Sequence, residues 1–110
     1  GMVKSALMDQ HTIAGIGNVY SDEILFQAGI HPRMQVTDLD EAALETLYRK
    51  MRQVLQVAID RQAQPGDLPE DYLLPHRSPD GRCPKCGQPL KQVKVSSRTG
   101  YYCPNRQGEV

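Results

Sequence analysis

The chain has 110 residues, and its 13 Lys and Arg residues balance 13 Asp and Glu residues, so the formal net charge is zero. This length suits one domain, or a helical domain with a small second unit, and excludes a large sheet enzyme with its own cofactor fold. A hydrophobic content of 39% with 24% charged residues is typical of a folded chain. No apolar run exceeds three residues, so we expect neither a membrane span nor a signal-peptide core.

Two helices are predicted near the start of the chain. Residues 3–14 place small and apolar side chains near one helical face. After a glycine-containing turn at 15–17, a second helix is predicted from about Asn18 to Gly29, with an N-cap residue at one end and glycine at the other. Asp22 and Glu23 fall in its early turns, where the helix dipole favours acidic side chains.

The third and longest helix is predicted to begin at Asp38 or Asp40 and to end before Pro65. Apolar side chains recur along it with a period of 3.6 residues, which indicates a core scaffold. We interpret eight of them as one core-facing stripe: Leu44, Leu47, Tyr48, Met51, Val54, Leu55, Ala58 and Ile59.

A smaller second unit is predicted after a proline-rich connector. Alternating side chains at 91–96 indicate a strand, Ser97 to Gly100 are predicted to turn it, and residues 101–103 to return. The predicted fold class is therefore mainly α with a small β-hairpin. We place a helical domain at 1–72 and a hairpin unit at 73–110.

The turn between the first two helices contains Gly15 and Gly17, followed by Asn18. Glycine lets the backbone approach a bulky anion closely, and a helix start presents free N–H groups and the positive end of the dipole. Asn18 can add a side-chain amide donor to a phosphate oxygen. The alternative is a tight helical turn in which glycine only satisfies backbone geometry, and the turn by itself slightly favours that alternative.

Three cysteines form most of a metal-binding pattern. Cys83-x-x-Cys86 is followed, after sixteen intervening residues, by Cys103-x-x-Arg106, where a zinc ribbon would have a fourth cysteine. Arginine cannot ligate zinc because it is always charged and offers no acceptor. Zinc could bind through three thiolates plus water or a borrowed ligand such as His76, or with weakened affinity. Alternatively, the hairpin could fold without metal, or a fourth thiol could be missing from this sequence. Structural zinc is favoured over none, and no nearby acid–base pair supports catalytic zinc.

The end of the chain is basic. Residues 82–110 carry six Lys and Arg residues against Glu109, which predicts a polyanionic partner, most commonly nucleic acid, or alternatively a solvated tail. Arg98, flanked by Ser and Thr hydroxyls, is suited to bidentate binding of a phosphate, or is simply an exposed turn arginine. Lys4 lies near the start of the first helix, where a cation opposes the dipole and an external anion would be its partner.

Taken together, two segments resemble the C-terminal half of the formamidopyrimidine-DNA glycosylase / endonuclease VIII family. The segment from Lys4 to Pro32, with Ile13-Ala14-Gly15-Ile16-Gly17-Asn18 at its centre, is similar to the family's helix–two-turn–helix signature. The segment from Cys83 to Gln107 is similar to its C-terminal zinc finger. The resemblance covers nearly the whole chain in the same order and spacing. It implies a helix–two-turn–helix domain followed by a zinc-ribbon-type finger.

The resemblance implies repair of oxidised bases in double-stranded DNA by flipping out the damaged nucleotide and attacking its sugar with an N-terminal proline amine. It implies a zinc ion on the three cysteines, a monomeric protein and a location in the bacterial cytosol. The DNA-binding residues it implies are Lys4, Gly15, Gly17 and Asn18 around the flipped nucleotide and Arg98 on the other side of the same backbone stretch.

This sequence departs from the family pattern in two ways. It begins with Gly1 and Met2, which resemble a cleavage scar ahead of an engineered start, and it lacks the N-terminal proline with its catalytic domain. We therefore expect an excised piece that binds damaged DNA without cutting it. Arg106 in place of the fourth cysteine makes metal binding uncertain, and its side chain could instead extend the basic surface.

Two other functions remain open. One is a non-catalytic RNA-binding or ribosomal-type module with a zinc ribbon, and the other is a protein-interaction ribbon on a helical stalk. Preference for structured RNA would favour the first. Weak salt dependence of nucleic-acid binding would favour the second, because phosphate contacts make binding steeply salt-dependent.

Overall fold

The computed structural model describes residues 1–9, 17–63 and 68–109. Predictions for Gly15 and for the end of the first predicted helix lie outside these residues. The described elements are helices α1 (Val3–Asp9), α2 (Gly17–Ala28), α3 (Glu41–Ala63) and α4 (Pro104–Gln107), strands β1 (Lys91–Val95) and β2 (Arg98–Tyr102), and 3₁₀ turns at Val36–Asp38 and Leu74–His76. The predicted mainly helical fold with a two-stranded antiparallel hairpin is confirmed.

The ends of the helices follow local chemistry. Helix α2 ends at Gly29, whose φ of 73° suits glycine, and the Ile30 N–H donates back to the Leu25 carbonyl at 2.9 Å. Helix α3 begins after Asp40, whose carboxylate accepts the Ala43 N–H at 2.8 Å. Asp40, the second of the two predicted starts, is therefore the capping residue.

Helix α3 buries a narrower face than its sequence pattern predicted. Val54 and Ala58 are buried, and Val54 lies in a cluster with Ile24 and Tyr72. Three members of the predicted core stripe are instead exposed, with exposed fractions of 44% for Leu44, 61% for Tyr48 and 51% for Ile59. The eight predicted positions span a wider arc than the elements packed against α3 cover, so the prediction was wrong at its edges.

The hairpin turns more tightly than predicted. Val95 pairs with Arg98 across a two-residue loop of Ser96 and Ser97, whose φ angles are 52° and 66°. The predicted turn from Ser97 to Gly100 was therefore wrong, because Arg98 to Gly100 already belong to β2. Gly100 and Tyr102, on one face of β2, are buried, whereas Arg98 on the same face is exposed beside the loop.

Helix α2 lies at the centre of the packing, and its residues Ser21–Phe26 are all buried. Phe26 shares a core cluster with Leu73, Leu90, Cys83 and Cys103, so the helical part and the hairpin part are joined by apolar contact. The predicted domain boundary between residues 72 and 73 lies beside this shared core. None of the helices in the described part of the chain combines the length and apolar character that crossing a bilayer requires.

Candidate functional site

Asn18 and the hairpin loop, far apart in sequence, lie together in the structure. Asn18 is in the first turn of α2, and its side-chain Nδ2 donates a hydrogen bond to the backbone carbonyl of Thr99 at 3.1 Å. Thr99 directly follows Arg98, whose side chain is exposed. Two of the predicted site residues are therefore brought to the same part of the surface.

Two further contacts hold the loop end of the hairpin. The Ser5 and Ser96 hydroxyls lie 3.1 Å apart, which ties the loop to α1. Arg33 Nη2 donates to the Lys94 carbonyl of β1 at 2.8 Å. The loop is thus positioned by α1, by α2 and by the segment that follows α2.

Lys4 differs from the other predicted site residues because its side chain is fully buried. Its Nζ lies 2.7 Å from Asp22 Oδ1 as an ion pair, although the angles of this contact do not form a regular hydrogen bond. In this arrangement the Lys4 ammonium presents no donor to solvent.

Asp22 and Arg77 are structural members of the site that sequence reasoning missed. Asp22 Oδ2 accepts the Tyr101 N–H at 3.0 Å and Arg77 Nε at 3.1 Å. The Arg77 guanidinium also lies over the Tyr101 ring, 5.2 Å from its centroid. From the sequence, Asp22 was explained only as an acidic residue near the start of a helix, where the dipole favours it. No local pattern indicated its partners Arg77 and Tyr101, which lie more than fifty residues away.

Glu23, the next residue, holds the connector against α2. Its carboxylate accepts the backbone N–H groups of Leu73 at 2.9 Å and Leu74 at 2.8 Å, and a side-chain N–H of Gln27 at 2.9 Å. Burial raises the pKa of Glu23 above its ordinary value, and these hydrogen bonds oppose the shift. The hydrogen bonds of Asp22 and Glu23 therefore hold one turn of α2 against the hairpin and the connector, respectively.

The three cysteines gather at the base of the hairpin. The sulfur atoms of Cys83, Cys86 and Cys103 all lie within 4.8 Å of one another, and those of Cys86 and Cys103 are 3.5 Å apart. Tetrahedral coordination with Zn–S bonds of about 2.3 Å places thiolate sulfurs about 3.8 Å apart. The three side chains can thus ligate one metal ion of that size.

The environments of these thiols differ. A hydrogen bond from the Gln88 backbone lowers the pKa of Cys86 to about 7. Burial raises the pKa of Cys103 to about 11. Because the thiolate is the metal ligand, binding of an ion must displace the proton of Cys103.

Among the residues that the structure describes, the cluster of potential metal ligands consists of the three thiols, and His76, one borrowed ligand considered from the sequence, is not part of it. Arg106 is exposed on α4, and its backbone N–H donates to the Cys103 carbonyl at 3.2 Å. The three cysteines thus lie close enough to hold one metal ion.

Comparison with known proteins identifies the relatives of this chain. The sequence model described as the formamidopyrimidine-DNA glycosylase H2TH domain matches residues 1–67. Proteins named formamidopyrimidine-DNA glycosylase from Gloeobacter violaceus and Thermomicrobium roseum are 37% and 39% identical over 96% of the chain. Each of these alignments covers 40% of the relative, so the chain spans about two-fifths of their length.

Solved structures give the same result. The complex between the Lactococcus lactis Fpg and an abasic site containing DNA matches with a TM-score of 0.81 and 27% identity, covering 98% of this chain and 43% of that chain. A structure of MutM in complex with carbocyclic 8-oxo-G containing DNA has a TM-score of 0.79 and 29% identity, with coverage of 98% and 42%. The resemblance in the sequence is confirmed, and the chain belongs to the formamidopyrimidine-DNA glycosylase family.

Proposed function

We propose that this chain binds double-stranded DNA at a damaged nucleotide by contacting phosphates from the start of α2 and from the hairpin loop. The contact between Asn18 and Thr99 carries the proposal, because it brings an exposed arginine beside the start of a helix. Two solved relatives that match 98% of this chain are complexes with DNA containing an abasic site or 8-oxo-G.

The start of α2 provides N–H donors for one side of this contact. Gly17 and Asn18 occupy the first turn, where backbone N–H groups have no partner within the helix and the dipole favours an anion. Gly15, outside the described residues, belongs to the same proposed phosphate site. Asn18 has two amide N–H groups, so the one that does not bond Thr99 can reach a phosphate oxygen.

Arg98 provides the other side of the contact. Its guanidinium is exposed at the first position of β2, beside the loop that α1 and α2 hold in place. A guanidinium can bind a phosphate through two parallel hydrogen bonds. Together, the helix start and Arg98 would grip one stretch of the sugar-phosphate chain.

Lys4 has a less direct part in this proposal. Because its ammonium is paired with Asp22 and shielded from water, we propose that it supports the interface from behind, where its charge compensates a buried acid. The Lys4 side chain therefore presents no amine to the proposed interface. We propose that this chain binds the lesion without forming a covalent adduct. Removal of oxidised bases and strand cleavage are proposed for a longer protein.

We further propose that the thiolates of Cys83, Cys86 and Cys103 hold a structural zinc ion. The support is the spacing of their sulfur atoms, all within 4.8 Å, and the shared core they form with Phe26. A bound zinc ion would cross-link the segment that precedes β1 to the residue that follows β2. In that state Arg106 remains on the surface, where its charge adds to the basic side of the finger.

The binding proposal can be tested by fluorescence anisotropy with three labelled probes. These are a duplex containing a tetrahydrofuran abasic analogue, the same duplex undamaged, and a structured RNA. We expect the abasic duplex to bind most tightly and its affinity to fall steeply with salt. Preference for RNA would indicate an RNA-binding module, and weak salt dependence would indicate a protein-interaction module. An adduct trapped by borohydride would refute the inference that this chain is not catalytic.

Arg98→Ala tests the phosphate contact itself. We expect about a tenfold loss of affinity on all duplexes and a salt slope reduced by about one charge. Arg82→Ala is the matched control, because Arg82 is an exposed arginine of the same finger that bonds the Gly87 carbonyl. Equal losses for the two variants would show that Arg98 acts only through total charge.

A further inference from the structure

We propose that Asp22 is a positioning residue for DNA binding, which sets the place of Arg98 by pairing with the outer edge of β2. This inference rests on the proposed function. It concerns a residue that contacts no phosphate itself, because its side chain is fully buried.

Within residues 1–9, 17–63 and 68–109, the outer edge of β2 is paired with side chains and not with a third strand. In the antiparallel register Arg98 faces Val95 and Gly100 faces Val93, and the backbone groups of the intervening Thr99 and Tyr101 point away from β1. Asn18 donates to the Thr99 carbonyl at 3.1 Å and Asp22 accepts the Tyr101 N–H at 3.0 Å.

The two α2 side chains stand one helical turn apart. Asn18 and Asp22 are at positions i and i+4, so they project from the same face of the helix. Arg77 links the two contacts, because its Nη2 lies 3.0 Å from Asp22 Oδ2 and 3.4 Å from the Thr99 carbonyl oxygen. One side of α2 thus acts as the neighbour that an exposed strand edge otherwise lacks.

The backbone of β2 lies directly on this charged cluster. A Cβ at Gly100 would overlap Lys4 Nζ and would stand 2.7 Å from Asp22 Oδ1. The Lys4 ammonium on the other side of Asp22 compensates its buried charge. Asp22 therefore fixes the strand both by a hydrogen bond and by close packing.

Loss of the Asp22 contact should loosen β2 between Cys103 and the loop. Cys103 is held independently, because it is buried in the core with Phe26 and Leu73. The remaining contacts of β2 on the α2 side would be those of Asn18 and Arg77 with the Thr99 carbonyl. Arg98 would remain on the chain, but its distance from the start of α2 would vary more.

The test is a double-variant comparison of affinity for the tetrahydrofuran duplex, using the full 110-residue chain. Asp22→Ala, which removes the acceptor for the Tyr101 N–H, should weaken binding about tenfold when Arg98 is present and less than about twofold in an Arg98→Ala background. Arg49→Gln, an exposed charge change on α3, should have no effect in either background. Equal losses with and without Arg98 would refute the inference, because they would indicate general damage to the fold.

Asp22→Ala leaves the buried Lys4 ammonium without its charge partner and could prevent folding, so Arg77→Gln provides a second variant. Arg77 is partly exposed and bridges the same two contacts, and we expect the same dependence on Arg98. In whichever of the two variants folds, the Tyr101 amide hydrogen should exchange faster with solvent. The amide hydrogens that bond β1 to β2 should stay protected. Unchanged exchange at Tyr101 with reduced affinity would overturn the inference. Failure of the unmodified chain to bind DNA would instead refute the proposed function.

Discussion

Gln107 donates a 2.8 Å hydrogen bond from its side-chain Nε2 to the backbone carbonyl of Ile30, and the bond is buried. The same side chain accepts the Cys103 N–H through its Oε1 at 2.9 Å. One amide thus joins the end of α2 to the second cysteine-containing turn. Because α4 is held in this way, position 106 is fixed beside the cysteine cluster whichever residue occupies it.

Arg106→Cys should convert the three-thiolate site into a complete tetrahedral one. Cys103-x-x-Arg106 has the spacing of Cys83-x-x-Cys86, so a thiol at 106 would stand where a zinc ribbon has its fourth ligand. We expect zinc to bind at one ion per chain and at least about tenfold more tightly than to the unmodified chain. Competition with a chromophoric zinc chelator measures this difference.

Arg82→Cys is the control for that experiment, because it adds a thiol at an exposed position of the same finger outside the second cysteine turn. It should leave zinc affinity unchanged. If Arg82→Cys and Arg106→Cys raised the affinity equally, the added thiol would be acting without regard to its position.

Gly100→Ala should destabilise the fold. The new Cβ would collide with Lys4 Nζ and crowd the Asp22 carboxylate, and both groups are buried and paired. Overpacking of this kind costs about 3 kcal/mol. Urea denaturation of Gly100→Ala beside Thr99→Ala would check it, since the Thr99 contacts with α2 and Arg77 use its backbone carbonyl. If Gly100→Ala reduced the free energy of unfolding by less than Thr99→Ala does, the close approach of β2 to Lys4 and Asp22 would be contradicted.

Ser97→Gly should stabilise the hairpin. Ser97 has a φ of 66°, a left-handed conformation that glycine adopts without steric cost. We expect a gain of about 0.5–1 kcal/mol in the free energy of unfolding. Ser78→Gly is the matched control at an exposed serine outside the positive-φ region, where glycine should reduce stability. The prediction fails if both substitutions shift the urea midpoint in the same direction.

Acid should weaken the fold through His31. Burial lowers the pKa of His31, and its Nδ1 accepts the Arg33 N–H at 3.0 Å, which requires the neutral ring. A histidine with a lowered folded-state pKa contributes stability that is fully present above its ordinary pKa of 6.5 and is lost as pH falls through the folded value. The free energy of unfolding should therefore decrease between about pH 7.5 and about pH 5.

His31→Asn provides the comparison for this pH dependence. An asparagine carbonyl can still accept the Arg33 N–H but does not titrate, although the ring contact with Tyr102 is lost. We expect lower stability throughout with a flatter pH profile. An identical slope in both proteins would assign the acid sensitivity to other groups.

The elements of this fold could largely be predicted from sequence because their signals are local. The capping aspartate and glycine, the apolar period of α3 and the alternation before the loop each depend on residues within one or two turns. The tight loop was missed because Ser96 and Ser97 lack the usual turn residues, asparagine and glycine. The width of the buried face of α3 was not predictable in this way, because it depends on how much of the helix the neighbouring elements cover.

The charged interior of the site was not predictable in the same way. Lys4, Asp22 and Arg77 pair across separations of 18 and 55 residues, and acidic and basic side chains are usually found on the surface. A single sequence contains no periodic signal that links them. Asn18 and Arg98 were singled out by their chemistry, but the hydrogen bond that brings Asn18 beside Arg98 joins Asn18 to Thr99, 81 positions away.

The shared apolar cluster around Phe26 has a practical consequence for shortening the protein. A truncated form that stopped before Cys83 would open Phe26 and Leu73 to water together, since both are covered by the finger. The smallest autonomous folding unit therefore includes the cysteine-bearing hairpin. Proteolytic nicking within that hairpin should be transmitted to the helices as cooperative unfolding.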